Sequence, residues 1–225
     1  MAKKLLMTSA ALISLVAMAL PAIALASPEI GETSGGVFTK LATGVAIRGT
    51  SVGVIKMTDI NANVLVECAR AQIDGTLNTN SGTELNITID TATFAGTGAN
   101  GACTGFFGSK DVEVTTKVGN GVPWCFAAGG KLGADVFSLR GNNCASASRS
   151  ITFVLDTTFG QCKYERAAAA SGTFTTDVSG QIGEFTASKQ EFPAEAGNPF
   201  GCPAVWYLDM TFKLETTNGT ALYIK

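Results

Sequence analysis

Apolar and polar residues alternate one by one along several segments of this 225-residue chain. The clearest segment runs from Leu208 to Leu214, and a shorter one runs from Leu85 to Ile89. A period of two places successive side chains on opposite faces of a strand, with one face buried and the other in water. Gly and Asn cluster between these segments, as turns require. The sequence therefore predicts an all-β fold, an antiparallel β-sandwich or barrel-like structure.

The N-terminus has the pattern of a signal peptide. Lys3 and Lys4 precede a long apolar run, and a small-residue cleavage site, Ala24-Leu25-Ala26, follows it. We expect residues 1–26 to be removed and residues 27–35 to form an N-terminal tail. The alternative is an uncleaved anchor, because the run is just long enough to span a bilayer. The mature protein is then secreted, extracellular or at the cell surface, with the periplasm as the alternative, and has no membrane span after processing.

Six cysteines follow this leader, and an even number of cysteines in an exported chain predicts disulfide bonds. They are Cys68, Cys103, Cys125, Cys144, Cys162 and Cys202. Zinc binding is the competing interpretation, but the chain has no Cys-x-x-Cys motif and no histidine. We therefore expect three disulfides and no metal site.

Several short phrases occur twice in the chain and in the same order, which predicts a tandem duplication. Gly75-Thr76 follows Cys68 as Gly172-Thr173 follows Cys162, and Phe106-Phe107 follows Cys103 as Trp206-Tyr207 follows Cys202. Asn120-Gly121 and Asn218-Gly219 each come at the end of an alternating strand. The first β half would cover residues 36–129, and the second would cover residues 130–225.

The repeat also predicts how the cysteines pair. If equivalent cysteines make equivalent bonds, each half closes its own disulfide, Cys68–Cys103 in the first and Cys162–Cys202 in the second. The remaining bond, Cys125–Cys144, then ties the end of one half to the start of the next. The alternative is a crossed pairing of Cys68 with Cys162 and of Cys103 with Cys202, which would join the two halves instead.

The absence of histidine excludes the common forms of nucleophile activation and most transition-metal sites. The segment from Gly49 to Gly53 matches the G-x-S-x-G pattern, but that motif needs a histidine and a following helix. We therefore interpret Ser51 as a loop or strand-edge residue. Asn78, Asn80 and Gly82 lack the acidic ligands of a calcium loop and are interpreted as a plain turn. No cofactor is expected.

Paired carboxylates are the one enzymatic route that the composition leaves open, because a glycosidase needs only two of them. Those in or near predicted strands are Asp111, Glu113, Glu165, Glu184 and Asp209. Several of them fall on the polar face of alternating strands, where solvent exposure accounts for them. The net charge of −2 and the lack of a basic block make nucleic acid an unexpected partner.

Two aromatic pairs at matching places of the repeat, Phe106-Phe107 and Trp206-Tyr207, are the candidate binding residues. Exposed aromatic side chains can stack on sugar rings or contact a partner protein. The alternative is that both pairs pack at the ends of the core beside the disulfides.

Three phrases of the sequence resemble a set of secreted bacterial cysteine-containing β proteins. They are Pro123-Trp124-Cys125, Cys162-Lys163-Tyr164-Glu165 and Leu208-Asp209-Met210-Thr211-Phe212. The resemblance covers most of the mature chain and implies a bacterial source. No activity or site is attached to that set, so the resemblance implies no function.

The sequence thus favours a secreted or cell-surface β protein with a non-enzymatic binding or structural role. Its ligand would be a protein or a carbohydrate. The alternative is a secreted carboxylate-dependent hydrolase acting on polysaccharide.

Overall fold

A computed structural model describes residues 29–105, 113–116, 124–129, 136–141, 144, 151–158, 160–167, 170–176 and 183–224. Strands make up 69% of these residues, and no α-helix occurs among them. The prediction of an all-β fold is therefore confirmed. The signal-peptide segment lies outside the described residues, as do residues 27 and 28 of the predicted tail, Phe106, Phe107 and Asp111. Residues 29–35 of that tail are described, and Ile30–Ser34 form a strand.

The strands are numbered here in chain order. They are β1 (Ile30–Ser34), β2 (Val37–Lys40), β3 (Ala46–Ser51), β4 (Ile55–Thr58), β5 (Val64–Cys68), β6 (Arg70–Asn80), β7 (Glu84–Ala95), β8 (Thr104–Gly105), β9 (Glu113–Thr116), β10 (Trp124–Gly129), β11 (Val136–Arg140), β12 (Ile151–Thr157), β13 (Gly160–Arg166), β14 (Ala170–Thr176), β15 (Gly183–Pro193), β16 (Val205–Thr216) and β17 (Tyr223–Ile224).

Eight strands close into an antiparallel ring in the order β15-β14-β11-β10-β7-β6-β3-β16. The ring closes because β16 also pairs with β15, with Phe212 opposite Phe185. A closed sheet has no free edges in the ring itself. The fold is thus barrel-like, and β16 is the strand at which the ring closes.

Three further groups of strands extend this ring. β4, β5 and β8 continue from β16, because the first part of β16 pairs with β4 while its last part pairs with β3. β9, β12 and β13 form a separate three-stranded sheet, and so do β17, β1 and β2.

The core follows the predicted alternation. Leu85, Ile87 and Ile89 of β7 are buried, while Asn86 and Thr88 between them are only partly so. In β16 the buried row continues from Trp206 through the even-numbered positions to Leu214, and it faces the same interior as the buried residues of β6, β10 and β15. Burial of this continuous apolar interior stabilises the fold.

Strand pairing in the first half of the chain recurs in the second. In the first half, β3 pairs with β6, β4 with β5 and β6 with β7. In the second half, the corresponding pairs are β11 with β14, β12 with β13 and β14 with β15. The halves also pair with each other. β16 of the second half pairs with β3 and β4 of the first, and conversely β10 and β9 of the first half pair with β11 and β12 of the second. A common pairing pattern is what a duplication requires, and the duplication itself stays a prediction.

The strand register shows which residues of the two halves take equivalent positions. Phe126 lies opposite Ile87 in β7, and Phe212 lies opposite Phe185 in β15, at corresponding places. Asn218-Gly219 follows Phe212, whereas Asn120-Gly121 precedes Phe126 in the sequence and lies outside the described residues. The predicted superposition of the two turns therefore stays a prediction.

Two glycines of the repeated Gly-Thr phrase allow neighbouring strands to approach closely. A Cβ atom on Gly75 would clash with the carbonyl oxygen of Thr88, and one on Gly172 would clash with that of Thr186. Each clash is with backbone, which cannot rotate away as a side chain can. These contacts explain why glycine stands at both positions, and at Gly75 the register between β6 and β7 also shifts.

The disulfides are Cys68–Cys103, Cys125–Cys144 and Cys162–Cys202, the pairs that the repeat analysis predicts. Each links residues that are distant in sequence. Three such bonds are typical of proteins of an oxidising, extracellular environment.

Candidate interaction surface

The structure places the two members of the second aromatic pair on opposite sides of β16. Trp206 is only 1% exposed, whereas Tyr207 is partly exposed. Neighbouring residues of a strand point to opposite faces, and the inner face of β16 is covered. Only one of Trp206 and Tyr207 can therefore be exposed. The expected surface position of Trp206 is therefore wrong, and the expected position of Tyr207 at the surface is retained.

Trp206 belongs to a buried aromatic cluster. Its ring stacks on Phe192, with centroids 4.6 Å apart and planes 12° apart, and it meets the Tyr164 ring edge-on at 5.6 Å. Phe153 touches both Phe192 and Trp206 from the separate sheet. These contacts join β12 and β13 to the ring interior and explain why an aromatic residue is needed at position 206.

Two polar atoms in this cluster lack partners. Among the described residues, Tyr164 Oη and Trp206 Nε1 are buried without a hydrogen bond. Burial disfavours the charged phenolate and raises the pKa of Tyr164 to about 12. Tyr164 is therefore neutral throughout the physiological range and acts in packing rather than as a base.

A small cavity lies next to this cluster, in the interior of the ring. Its volume is about 20 Å³, enough for about one water molecule, and its lining is wholly apolar. The lining includes Phe153, Phe192 and Met210, and it contains no titratable group. A cavity of this size and chemistry holds neither a sugar nor a reacting centre.

Tyr207 of β16 lies on an outward face that β16 shares with three other strands. It is opposite Glu191 of β15 and Thr58 of β4, and Thr58 is in turn opposite Val64 of β5. Val64 is 43% exposed. This row of side chains therefore mixes aromatic, aliphatic and polar groups on the outer surface.

The loop between β4 and β5 presents Ile60 to solvent at 76% exposure. Asp59 organises this loop, because its Oδ1 accepts the backbone N–H groups of Asn61 and Asn63, both at 2.8 Å. Its Oδ2 accepts a third bond from the Asn63 side chain, and this bond is the main cause of the lowered pKa of Asp59. The turn that carries Ile60 is thus held by the side chain of its neighbour.

The loop between β15 and β16, residues 194–204, presents Phe200 fully exposed. Three contacts fix this loop to β13. Asn198 Oδ1 accepts the Lys163 N–H at 2.9 Å, and Asn198 Nδ2 donates to the Lys163 carbonyl at 2.8 Å. The disulfide between Cys202 of the loop and Cys162 of β13 is the third contact. The exposed ring is therefore carried by an anchored loop.

Both loops emerge at the same end of β16. Pro193 is paired with Val205 where the long loop leaves and re-enters the sheet. The last pair between β16 and β4 is Tyr207 with Thr58, so the β4–β5 loop, which carries Ile60, also begins at this end of β16. We call the set Ile60, Val64, Phe200, Val205 and Tyr207 the apical surface.

Charged side chains of both signs border the apical surface. Lys56 lies opposite Asp209 on one side and opposite Glu67 on the other, with its Nζ 3.7 Å from Glu67 Oε2. Lys189 donates its backbone N–H to Asp209 Oδ1, and Arg166 donates to the carbonyl of Glu191. The border therefore carries charges of both signs, and Asp59 adds a carboxylate in the β4–β5 loop.

The other candidate residues are scattered. Glu184 lies opposite Lys213, and Glu165 lies opposite Thr152 in another sheet, while Asp209 is exposed. The side chain of Glu113 is outside the described part. Ser51 ends β3, and its Oγ accepts the N–H of Ala71, as expected of a strand-edge residue. Within the described residues, no cluster of three or more metal-ligating side chains occurs.

Sequence reasoning missed Ile60 and Phe200. A signal was present, because Phe200 stands in the phrase Asn198-Pro199-Phe200-Gly201-Cys202, where turn formers surround a large apolar residue. Ile60 stands likewise between Asp59 and Asn61. A large apolar residue within such a turn cannot reach the core.

No family model, curated protein or solved structure matches the chain. In the part of the chain that the structure describes, no helix is long and apolar enough to cross a membrane.

Proposed function

We propose that this protein is an exported, non-enzymatic binding or structural module that acts through its apical surface. Signal-peptide cleavage after Ala26, secretion and a bacterial source are parts of this proposal, supported by the N-terminal pattern and the three disulfides. A rigid, cross-linked scaffold that presents loops is a common arrangement for binding proteins.

The observation that carries the proposal is the full exposure of Phe200 on a loop that is anchored to β13. An aromatic ring in water is unfavourable unless it is covered in use. A loop that is already ordered loses little conformational entropy when it binds. Ile60, on the neighbouring loop, has the same combination of exposure and local order.

The test is binding of the labelled, mature protein to intact cells of the organism that produces it. We expect the double variant Phe200→Ser/Ile60→Ser to lose saturable binding by at least about tenfold, as for other buried interface anchors. Its melting temperature should remain unchanged, because neither side chain packs in the core. Val37→Ser is the matched control, since Val37 is 66% exposed on β2, outside the apical surface.

Equal binding of the double variant and the original protein would contradict the proposal. So would turnover of a polysaccharide that is abolished by Glu184→Gln or Asp209→Asn, since that result would establish the hydrolase alternative.

A further inference from the structure

We propose that removal of the leader and docking of β1 exclude one another, so that cleavage after Ala26 comes before the fold is completed. Docking here means the pairing of β1 with its two neighbouring strands. The inference rests on the proposed function, because it takes the leader and its cleavage site from there. It concerns the short distance in sequence between that site and Ile30, where β1 begins.

β1 is the central strand of its sheet, with β17 on one side and β2 on the other. Ile30, its first residue, is 0% exposed and belongs to the hydrophobic core. The Ile30 N–H donates to the Asn80 side chain, and the Ile30 carbonyl accepts from the same side chain and from the Leu41 N–H. The start of the docked strand therefore has no backbone group left for another partner.

The predicted cleavage site is close to this buried residue. Ala26 and Ile30 are four positions apart in the chain. An extended chain spans at most about 3.3–3.6 Å per residue, so with β1 docked the two Cα atoms can be no more than about 14 Å apart. An extended peptide that binds another protein as a strand uses its main-chain N–H and C=O groups. A peptidase that binds the residues on both sides of the scissile bond in this way competes with the sheet for the same part of the chain.

Cleavage of a folded precursor therefore requires β1 to leave its place. When local opening and closing are fast, the rate of proteolysis follows the population of the open state. Asn80 stabilises the closed state directly, because its amide holds the start of β1 against the end of β6. A change that removes this contact should expose the cleavage site more often.

The topology leaves time for cleavage before β1 docks. The residues opposite Ile30 and Gly31 are Ile224 and Tyr223 of β17. Because β17 is made after every other described strand, the β17-β1-β2 sheet cannot be completed until residues 223–224 are present. During that interval β1 lacks one of its two neighbours, and the leader can be removed. Removal then frees β1 to become the central strand of its sheet.

The experiment follows cleavage of the full precursor by the signal peptidase of the producing organism. We expect the folded, disulfide-bonded precursor to be cleaved at least about tenfold more slowly than the reduced precursor freshly diluted from urea. An insertion of about ten Gly and Ser residues between Pro28 and Glu29 should remove the difference, because a flexible spacer separates the bond from the docked strand.

A substitution provides a second comparison on the folded precursor. Asn80→Leu should raise its cleavage rate by about tenfold or more, since two buried backbone groups lose their partner. Asn78→Ala is the matched control and should leave the rate unchanged, because Asn78 lies on the same strand but is exposed. Melting curves establish that the variants are folded, and if Asn80→Leu does not fold, the spacer variant alone decides.

Equal cleavage rates for the folded and the unfolded precursor would overturn the inference. So would a spacer variant that is still cleaved slowly when folded, because the obstruction would then lie elsewhere than at β1. An unfolded precursor that is not cleaved after Ala26 is a different result, since it would overturn the leader assignment in the proposed function itself.

Discussion

Asn80 and Ile30 are 50 residues apart in the sequence, and the Asn80 side chain makes two hydrogen bonds to the Ile30 backbone. Oδ1 accepts the Ile30 N–H at 3.0 Å, and Nδ2 donates to the Ile30 carbonyl at 2.8 Å. Nδ2 also donates to the Leu41 carbonyl at 3.0 Å. One buried amide thus holds both ends of the β1–β2 hairpin against the end of β6.

Replacement of Asn80 by leucine should lower the free energy of unfolding by about 3 kcal/mol or more. Leucine has nearly the same volume but leaves the Ile30 N–H and the Leu41 carbonyl without the Asn80 amide, and each buried unsatisfied group costs about 1–3 kcal/mol. The Ile30 carbonyl keeps its second hydrogen bond, from the Leu41 N–H at 3.0 Å. Urea denaturation measures the loss. Asn78→Ala is the control, because Asn78 lies on the same strand but is exposed. An equal effect of the two changes would show that the buried amide has no special role.

Alanine at position 206 and alanine at position 207 should have very different effects. Trp206→Ala removes a buried ring that contacts Phe153, Tyr164 and Phe192, and it should cost about 3–5 kcal/mol of stability. Tyr207→Ala removes a partly exposed ring and should cost about 1 kcal/mol or less. Thermal unfolding of both variants checks the difference, and similar losses would contradict the assignment of the two faces.

Stability should fall in strongly alkaline solution because of Tyr164. Its pKa is about 12 in the folded protein and 10.0 in the reference state, so the unfolded chain releases this proton first as the pH rises. The unfolded state then binds fewer protons than the folded state, and stability decreases from about pH 10 upward. Unfolding curves of the original protein and of Tyr164→Phe measure the effect.

Tyr164→Phe should lose less stability over that alkaline range, and at neutral pH it should be as stable as the original protein or slightly more so. The hydroxyl that it removes has no hydrogen-bond partner. A large loss at neutral pH would show that the hydroxyl is bound to something in solution.

Gly75→Ala and Gly172→Ala should each destabilise the protein by about 1–3 kcal/mol, because the added methyl group meets a carbonyl oxygen of the next strand. Thr76→Ala is the control, since Thr76 points to the other face of β6. Denaturant titration provides the comparison. A neutral result at either glycine would mean that the neighbouring strands can separate without cost.

The period-two pattern predicted which residues of β7 and β16 face the interior, because burial on one face of a strand imposes that pattern directly. Continued two residues back from Leu208, the same alternation places Trp206 inside and Tyr207 outside, so the error at Trp206 came from treating the aromatic pair as a unit. Ring closure through β16 was beyond the sequence, because pairing between distant strands depends on the whole chain. The roles of Asn80 and Phe200 depend on such distant neighbours in the same way.

Ring closure at β16 determines the order in which the molecule can be assembled. Strands β3 and β4 emerge early, yet the edge that they share with β16 is covered only when residues 205–216 have emerged. Until then, the chain exposes an open strand edge whose backbone N–H and C=O groups lack partners. A chain truncated before residue 205 should therefore aggregate. It would lack β16, the strand that otherwise covers the hydrogen-bonding edge of β3 and β4 and keeps them from pairing with other chains.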